Sequence, residues 1–440
     1  MTVRRVIATL ALALAASAGA ADTAHPPRLA PAETRMIATA DAEYDRSIAL
    51  LERLVNQNSG TMNLPGVAKV GEMMATELRA LGFTVTWKPL PQTGRAGHLI
   101  ATHAGKPGTK RLLLIGHLDT VFEADSPFQR FVRNGDEASG PGAGDDKGGM
   151  VVMLGALRAM QAAGTLKSAK IEIVLTGDEE DSGDPIAVAR ADLIAAGKRA
   201  DVALDFEGLS IEDGRDMGSI ARRSVNDWTL VVKGTSGHSS RIFSSAFGDG
   251  AANEVARILA AFRIELPEPN LTFNTGLLAA GVSAAIDTGG SKATAQGKSN
   301  IIPAEAVASG DFRTLSEEQT ARVRAKMTAI VARHLPGTEA TITFKSGYPA
   351  MAPTPGNQAL LARLNGVNRG LGLADMPPLD PLKRGAGDIS WVAADVDGLV
   401  GLGTASRGDH TPDEVVDLTT IRRQTKRAAI LMSRLSAEAR

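Results

Sequence analysis

The chain has 440 residues, of which 43% are hydrophobic and 22% charged, a balance that fits a folded globular protein and excludes a disordered one. Its 48 basic and 49 acidic residues leave a formal net charge of -1, so no global field attracts nucleic acid or an anionic membrane. The length exceeds a comfortable single core and predicts two domains, while the lack of cysteine restricts any metal site to His, Asp and Glu, ligands for Zn, Mn, Co or Mg.

The first residues, MTVRRVIATLALALAASAGA, place Arg4 and Arg5 before an apolar run from Val6 to Ala16 and end in Ala18-Gly19-Ala20. Residues 1–20 therefore read as a secretory signal peptide, too short to stay as a membrane span. The expected location is periplasmic or secreted, with no membrane span after signal removal; the Arg pair fits a twin-arginine signal only weakly. Amphipathic helices are predicted over Ala40 to Leu54 and Val67 to Leu81.

Strand-like and helical segments then alternate through KRLLLIGHLDTV, GGMVVMLGALRAM, AKIEIVLTG, PIAVARADLIAAG and ADVALDFEG. That order predicts an α/β fold: a mostly parallel-stranded sheet with helices on both faces. From about Ser219 the texture changes to NDWTLVVKG, a helix near Gly250 to Phe262, SNIIPAEAVASGDFRTLS, a helix from Glu317 to His334, and EATITFKSG. This predicts a smaller α+β domain over 219–345, inserted between a first part of the α/β domain, 38–218, and a second, 346–438. The α/β pattern returns with NQALLARLNGVNRGLG, DISWVAADV, GLVGLGTA and a last helix near Leu418 to Leu435, and no internal repeat is visible.

Open α/β sheets bind ligands beyond the carboxyl ends of their strands, so residues just after each strand matter most. Those positions hold His117 and Asp119 after LLLIG, Glu179 and Glu180 after IEIVL, and Glu207 after VALDF. Asp145 and Asp146 lie in GPGAGDDKGG, and His410 in SRGDHTPDE. Each has a plainer reading as a solvated turn or a hydrogen-bonded histidine. The Gly-rich loop lacks the ending of a P-loop, and Lys147 stands where a dinucleotide fingerprint needs a third glycine. Its small residues instead let the backbone bend and bring an Asp side chain to a shared point. In His-x-Asp the acid suits an orienter of a ligating imidazole, which suggests that role for Asp119. Five acids on one rim would repel one another unless cations sat among them, and two divalent ions offset most of that charge. Such a pair needs a bridging carboxylate and water, with a further carboxylate beside the water as general base.

In order, GHLDTV, GPGAGDDKGG, TGDEED, LDFEG, GTSGHSS, SNIIP, GDFRT and GDHTPDE resemble the zinc-dependent exopeptidases that include glutamate carboxypeptidase, aminoacylase and succinyl-diaminopimelate desuccinylase. The resemblance runs from about residue 40 to the end and is nearest, in its motifs, to the glutamate carboxypeptidase branch. It implies two divalent metal ions, zinc foremost, with His117 and Glu207 on one, His410 and Glu180 on the other, and Asp145 bridging. Glu179 would be the base and Asp119 the partner of His117.

The same resemblance makes the inserted segment a lid, in relatives often also the dimerisation domain, which allows a homodimer. His238 would stabilise the oxyanion, in many relatives from the partner subunit, while Asn300 and Arg313 would hold the substrate's terminal carboxylate. Gly387 and Asp388, in KRGAGDIS, match a loop near the product carboxylate. Two departures stand out: RIFSSAFGDG after His238 is longer than in relatives, and KRGAGD lacks the Thr or Ser that often precedes its Asp. The implied activity is an exported, carboxypeptidase-like hydrolase that cleaves an amide next to a free carboxylate in a small peptide or N-acyl amino acid. An aminoacylase or dipeptidase is the alternative within the family. A non-catalytic, metal-dependent amino-acid binder is the alternative of another class, and the intact Glu179 speaks against it.

Overall fold

The computed structural model describes residues 29–440, so the signal-peptide reading of residues 1–20 lies outside the described residues. The larger sheet has six strands: β1 (Thr84–Leu90), β2 (Arg95–His103), β3 (Arg111–His117), β4 (Lys170–Thr176), β5 (Val202–Asp205) and β6 (Gly398–Leu399). Their spatial order is β1-β2-β4-β3-β5-β6. The pairings β4–β3, β3–β5 and β5–β6 are parallel, and β1–β2 and β2–β4 are antiparallel.

The central strands carry near-continuous apolar runs, residues 112–115 in β3 and 173–175 in β4, because both faces are covered. Leu112 and Leu114 of β3 join a core with Met150, Leu154 and Leu157 of helix Lys147–Ala163 and Ala428 and Leu431 of helix Thr419–Ser436. The alternate residues Leu113 and Ile115 pack on the other face with Leu193, Ala196, Ile389 and Val392. The mostly parallel sheet with helices on both faces is therefore the observed architecture.

Three local differences from the sequence reading have simple causes. The antiparallel β1–β2 hairpin escapes periodicity because β1, TVTWKPL, is a largely exposed edge strand carrying Lys88 and Pro89. The helix expected over Ala40 to Leu54 is two helices, Pro31–Ala42 and Tyr44–Val55, parted at Glu43 with φ -87° and ψ 4°. The segment DISWVAADV forms a short 3-10 turn over Asp388–Trp391 rather than a further regular element of the α/β repeat.

The second sheet is antiparallel: Asn226–Gly234 lies between Glu305–Arg313 and Thr338–Ser346, and Thr272–Phe273 and Leu277–Gly281 pair on the far side of Glu305–Arg313. Along NDWTLVVKG every second side chain points inward, so Trp228, Leu230 and Val232 meet Ile258 and Phe262 of helix Ala251–Glu265 and Val323 and Met327 of helix Glu317–Val331. This core is separate from those of the larger sheet. The chain leaves and re-enters through paired strands, where Val225 N–H donates to the Tyr348 carbonyl at 2.9 Å. No helix among the described residues is long and apolar enough to cross a membrane.

Candidate metal centre

Because β3, β4 and β5 run parallel, their carboxyl ends bring His117, the acid run after Thr176, and Glu207 to one rim. His117 is buried, and its Nδ1–H donates to the Asp119 backbone carbonyl at 3.1 Å, which turns Nε2 toward Asp145 Oδ1 at 3.0 Å. The other Asp145 oxygen lies 3.2 Å from His410 Nε2, which is also 3.2 Å from Glu180 Oε2. One carboxylate thus stands between two imidazoles. His117, Asp145 and Glu180 offer ligand atoms that all lie within 4.8 Å of one another.

The loop that presents Asp145 is folded around a distant acid. Glu414 is buried and accepts the N–H groups of Gly144 at 2.8 Å, Asp145 at 3.3 Å and Gly142 at 3.1 Å. Gly142 takes φ +72°, a left-handed backbone that a side chain would oppose. Asp119 performs a wider task than orienting the ring. Its carboxylate accepts the N–H groups of Glu179 and Glu180, each at 3.1 Å, and the Thr61 hydroxyl at 2.7 Å, and so ties the β3 loop to the β4 loop. The ring of His117 is oriented by the Asp119 carbonyl, with the nearest carboxylate oxygen 3.5 Å away.

The donor set fits divalent cations. The hydrogen bonds to Asp145 and Glu180 push the His410 imidazole up to about 11. Burial would lower His117, yet Asp119 and Asp145 hold it well above its usual value. Burial and the neighbouring Glu207 and Asp388 push Glu179 well above the usual carboxylate range against the pull of His117, and burial raises Glu180 too. These groups gather protons because the cluster needs positive charge, and dications on two imidazoles and shared carboxylates would supply it.

A cavity of about 270 Å³ opens beside this cluster, and its lining includes Asp145, Glu179, Glu207 and His410. Glu207, expected as the ligand beside His117, is ion-paired to Arg222. Gly387 lies against that pair, where a Cβ would collide with the Arg222 guanidinium and the Glu207 carboxylate. Asp388 turns away from the cavity; it is buried, accepts the Thr176 hydroxyl and faces Arg190 Nε at 3.1 Å. The lid residues are not gathered to the cavity. His238 is exposed, with Nδ1 2.8 Å from the Ser240 hydroxyl; Asn300 is exposed; and Arg313 is paired with its neighbour Asp311 at 3.2 Å.

Residues 113–434 match the model of peptidase family M20/M25/M40. The chain belongs to this family. Carboxypeptidase G2 of Pseudomonas sp. strain RS-16 is 28% identical over 404 residues, covering 90% of each chain. The fold superposes on aminopeptidase PepT of Bacillus cereus with a TM-score of 0.70, at 17% identity, covering 89% of this chain and 98% of that one. It also superposes on the YXEP protein of Bacillus subtilis, a dinuclear metal-binding peptidase, with a TM-score of 0.61 at 15% identity, covering 90% of this chain and 99% of that one. The protein is accordingly a metal-binding hydrolase of the M20 metallopeptidases, a family with peptide-type substrates.

Sequence reasoning missed several residues of this M20 site. Glu414 sits in the quoted GDHTPDE motif, but nothing local marks it as the clamp of a loop 270 residues earlier. Arg222 lies in ARRS, at the predicted domain boundary, and Arg384 in KRGAGD; both line the cavity. Tyr348 donates its hydroxyl to the Glu179 carbonyl at 2.8 Å and meets Arg190 Nη2 at 2.9 Å, while Arg190 also pairs with Asp178 at 2.5 Å.

Proposed function

We propose that this M20 hydrolase is exported and acts as a carboxypeptidase-like enzyme. It would release a C-terminal amino acid, such as glutamate, from a peptide or N-acyl amino acid. The observation that carries the catalytic part is Glu179: its side chain lines the cavity beside the Asp145–His410 pair and, among the described residues, forms no ion pair of its own. Similarity to carboxypeptidase G2 supports the carboxypeptidase reading, and the pattern of residues 1–20 supports export to the periplasm or medium.

Two imidazoles on opposite oxygens of Asp145 support a two-metal centre, with His117 and Glu207 on one side, His410 and Glu180 on the other, and zinc as the expected ion. Bound there, the cations would polarise the scissile carbonyl and make the attacking water acidic. Glu179 would take the proton of that water and later give it to the leaving amine, a role that its place on the cavity wall beside Asp145 and His410 suits. Asp119 and Tyr348 hold the Glu179 backbone in place. His238, exposed on the lid, is assigned to oxyanion stabilisation in a neighbouring subunit of a dimer.

The test is amine release from a panel of acyl amino acids and dipeptides by zinc-loaded protein, with Glu179→Gln alongside. The variant is expected to keep its metal and lose roughly two to four powers of ten in turnover. Near wild-type turnover with unchanged metal content would remove Glu179 from the mechanism. N-terminal sequencing of the mature protein from a periplasmic fraction tests export.

A further inference from the structure

We propose that Arg190 is a positioning residue for the general base: its guanidinium turns the Tyr348 hydroxyl onto the Glu179 carbonyl and so fixes where the Glu179 side chain stands. The inference rests on the reading of Glu179 above and adds the group that sets its place.

Arg190 lies between helices Ile186–Ala189 and Ala191–Arg199 and is fully buried. Its Nη1 donates to Asp178 Oδ1 at 2.5 Å and its Nε faces Asp388 Oδ1 at 3.1 Å, so two carboxylates already answer its charge. Nη2 turns to other acceptors: the Asp178 carbonyl at 2.9 Å, the Ser182 hydroxyl at 2.8 Å and the Tyr348 hydroxyl at 2.9 Å. Tyr348 belongs to the segment that returns from the smaller sheet, where its carbonyl accepts Val225 N–H, and its ring packs on Trp391 with centroids 5.5 Å apart.

A guanidinium has donors only. A phenol oxygen that accepts from one must send its single proton to another acceptor, and two are in reach: the Glu179 carbonyl at 2.8 Å and the Ser182 hydroxyl at 3.3 Å. The shorter contact takes it, so the hydrogen bonds run one way, from Arg190 to Tyr348 to Glu179. On the other side of the same residue, Asp119 accepts Glu179 N–H at 3.1 Å. Both peptide groups flanking the Glu179 α-carbon are thereby held, one by the β3 loop and one by the returning segment, and the side chain between them is fixed on the cavity wall. Without the Arg190 donor the phenol can swing to Ser182, and the Glu179 carbonyl loses its partner. Neither Arg190 nor Tyr348 lines the cavity, so each acts through Glu179.

The experiment measures kcat and KM for amine release from an N-acyl amino acid by zinc-loaded protein carrying Arg190→Lys, Tyr348→Phe or both. One ammonium drawn to Asp178 cannot also serve Tyr348 as the fork does. Arg190→Lys should therefore lower kcat about two- to tenfold, the worth of one ordinary hydrogen bond, with KM and zinc stoichiometry unchanged. In the Tyr348→Phe background the same change should cost kcat nothing further, because its route to Glu179 is already cut. A merely structural arginine would show its loss undiminished in both backgrounds. If the Lys variant does not fold, Arg190→Met with Asp178→Asn, which removes both charges of the buried pair together, carries the comparison. Unchanged kcat in Arg190→Lys or in Tyr348→Phe, a change confined to KM, a loss of zinc, or equal losses with and without the Tyr348 hydroxyl would overturn the assignment. Failure of the Glu179 reading shows separately, as Glu179→Gln protein that turns over near the wild-type rate, and failure of the hydrolase reading as wild-type protein that releases no amine.

Discussion

Replacing Glu414 with Gln tests whether a carboxylate far from the chemistry builds the metal centre. In the wild type one oxygen receives Gly144 N–H at 2.8 Å and Asp145 N–H at 3.3 Å, and the other receives Gly142 N–H at 3.1 Å. Gln keeps one carbonyl oxygen for two of these donors but turns an amide N–H toward the third. One charge-assisted bond is lost and one backbone N–H is left facing a donor, a cost of about 1.5–3 kcal/mol. Part of that cost falls on global stability and part on the position of Asp145, which lies between the two imidazoles. Zinc affinity is expected to fall about ten- to a hundredfold, the range for residues that orient metal ligands. A competitive zinc titration reads the first effect and urea unfolding of metal-free protein the second. If both the zinc affinity and the urea midpoint match the wild type, Glu414 does not hold the loop and the reasoning fails.

Zinc binding at pH 8 should release protons, because the metal-free His410 imidazole is pushed up to about 11 and must deprotonate to ligate. Heats measured in buffers of different ionisation enthalpy would show it; buffer-independent heats would contradict it. The sign for stability follows from the same shift: with its folded value above the unfolded value of 6.5, His410 stabilises the metal-free fold fully below about pH 6.5 and ceases to do so as the pH rises toward 11. His410→Ala should therefore flatten the pH dependence of metal-free unfolding across that window, measured by urea midpoints, and an unchanged profile would refute it. Tyr348→Phe removes the bond to the Glu179 carbonyl and should lower kcat several-fold with KM nearly constant; a change confined to KM would place Tyr348 in substrate binding instead.

Periodicity and motif order are local properties, and they carried the sheet. The near-continuous apolar runs of β3, β4 and β5 announce strands covered on both faces, and GHLDTV, TGDEED and LDFEG place chemistry at their carboxyl ends. Having every candidate ligand follow a parallel strand, or sit in a Gly-rich turn, was enough to foresee one shared rim, and His117, Asp145, Glu180 and His410 do meet there.

What tertiary structure alone decided is which side chain answers which. Asp388 and Arg384 are four residues apart in one loop, yet one is buried on Arg190 and the other lines the cavity with unmet donors. Glu207 and Arg222 are both charged residues on quite different segments, and only packing makes them an ion pair beside the metal ligands. The clamp of Glu414 on the Asp145 loop joins residues some 270 positions apart. Sequence spells out the donors and acceptors, but a hydrogen bond between distant segments depends on angles and burial that exist only once the sheet has brought its loops together.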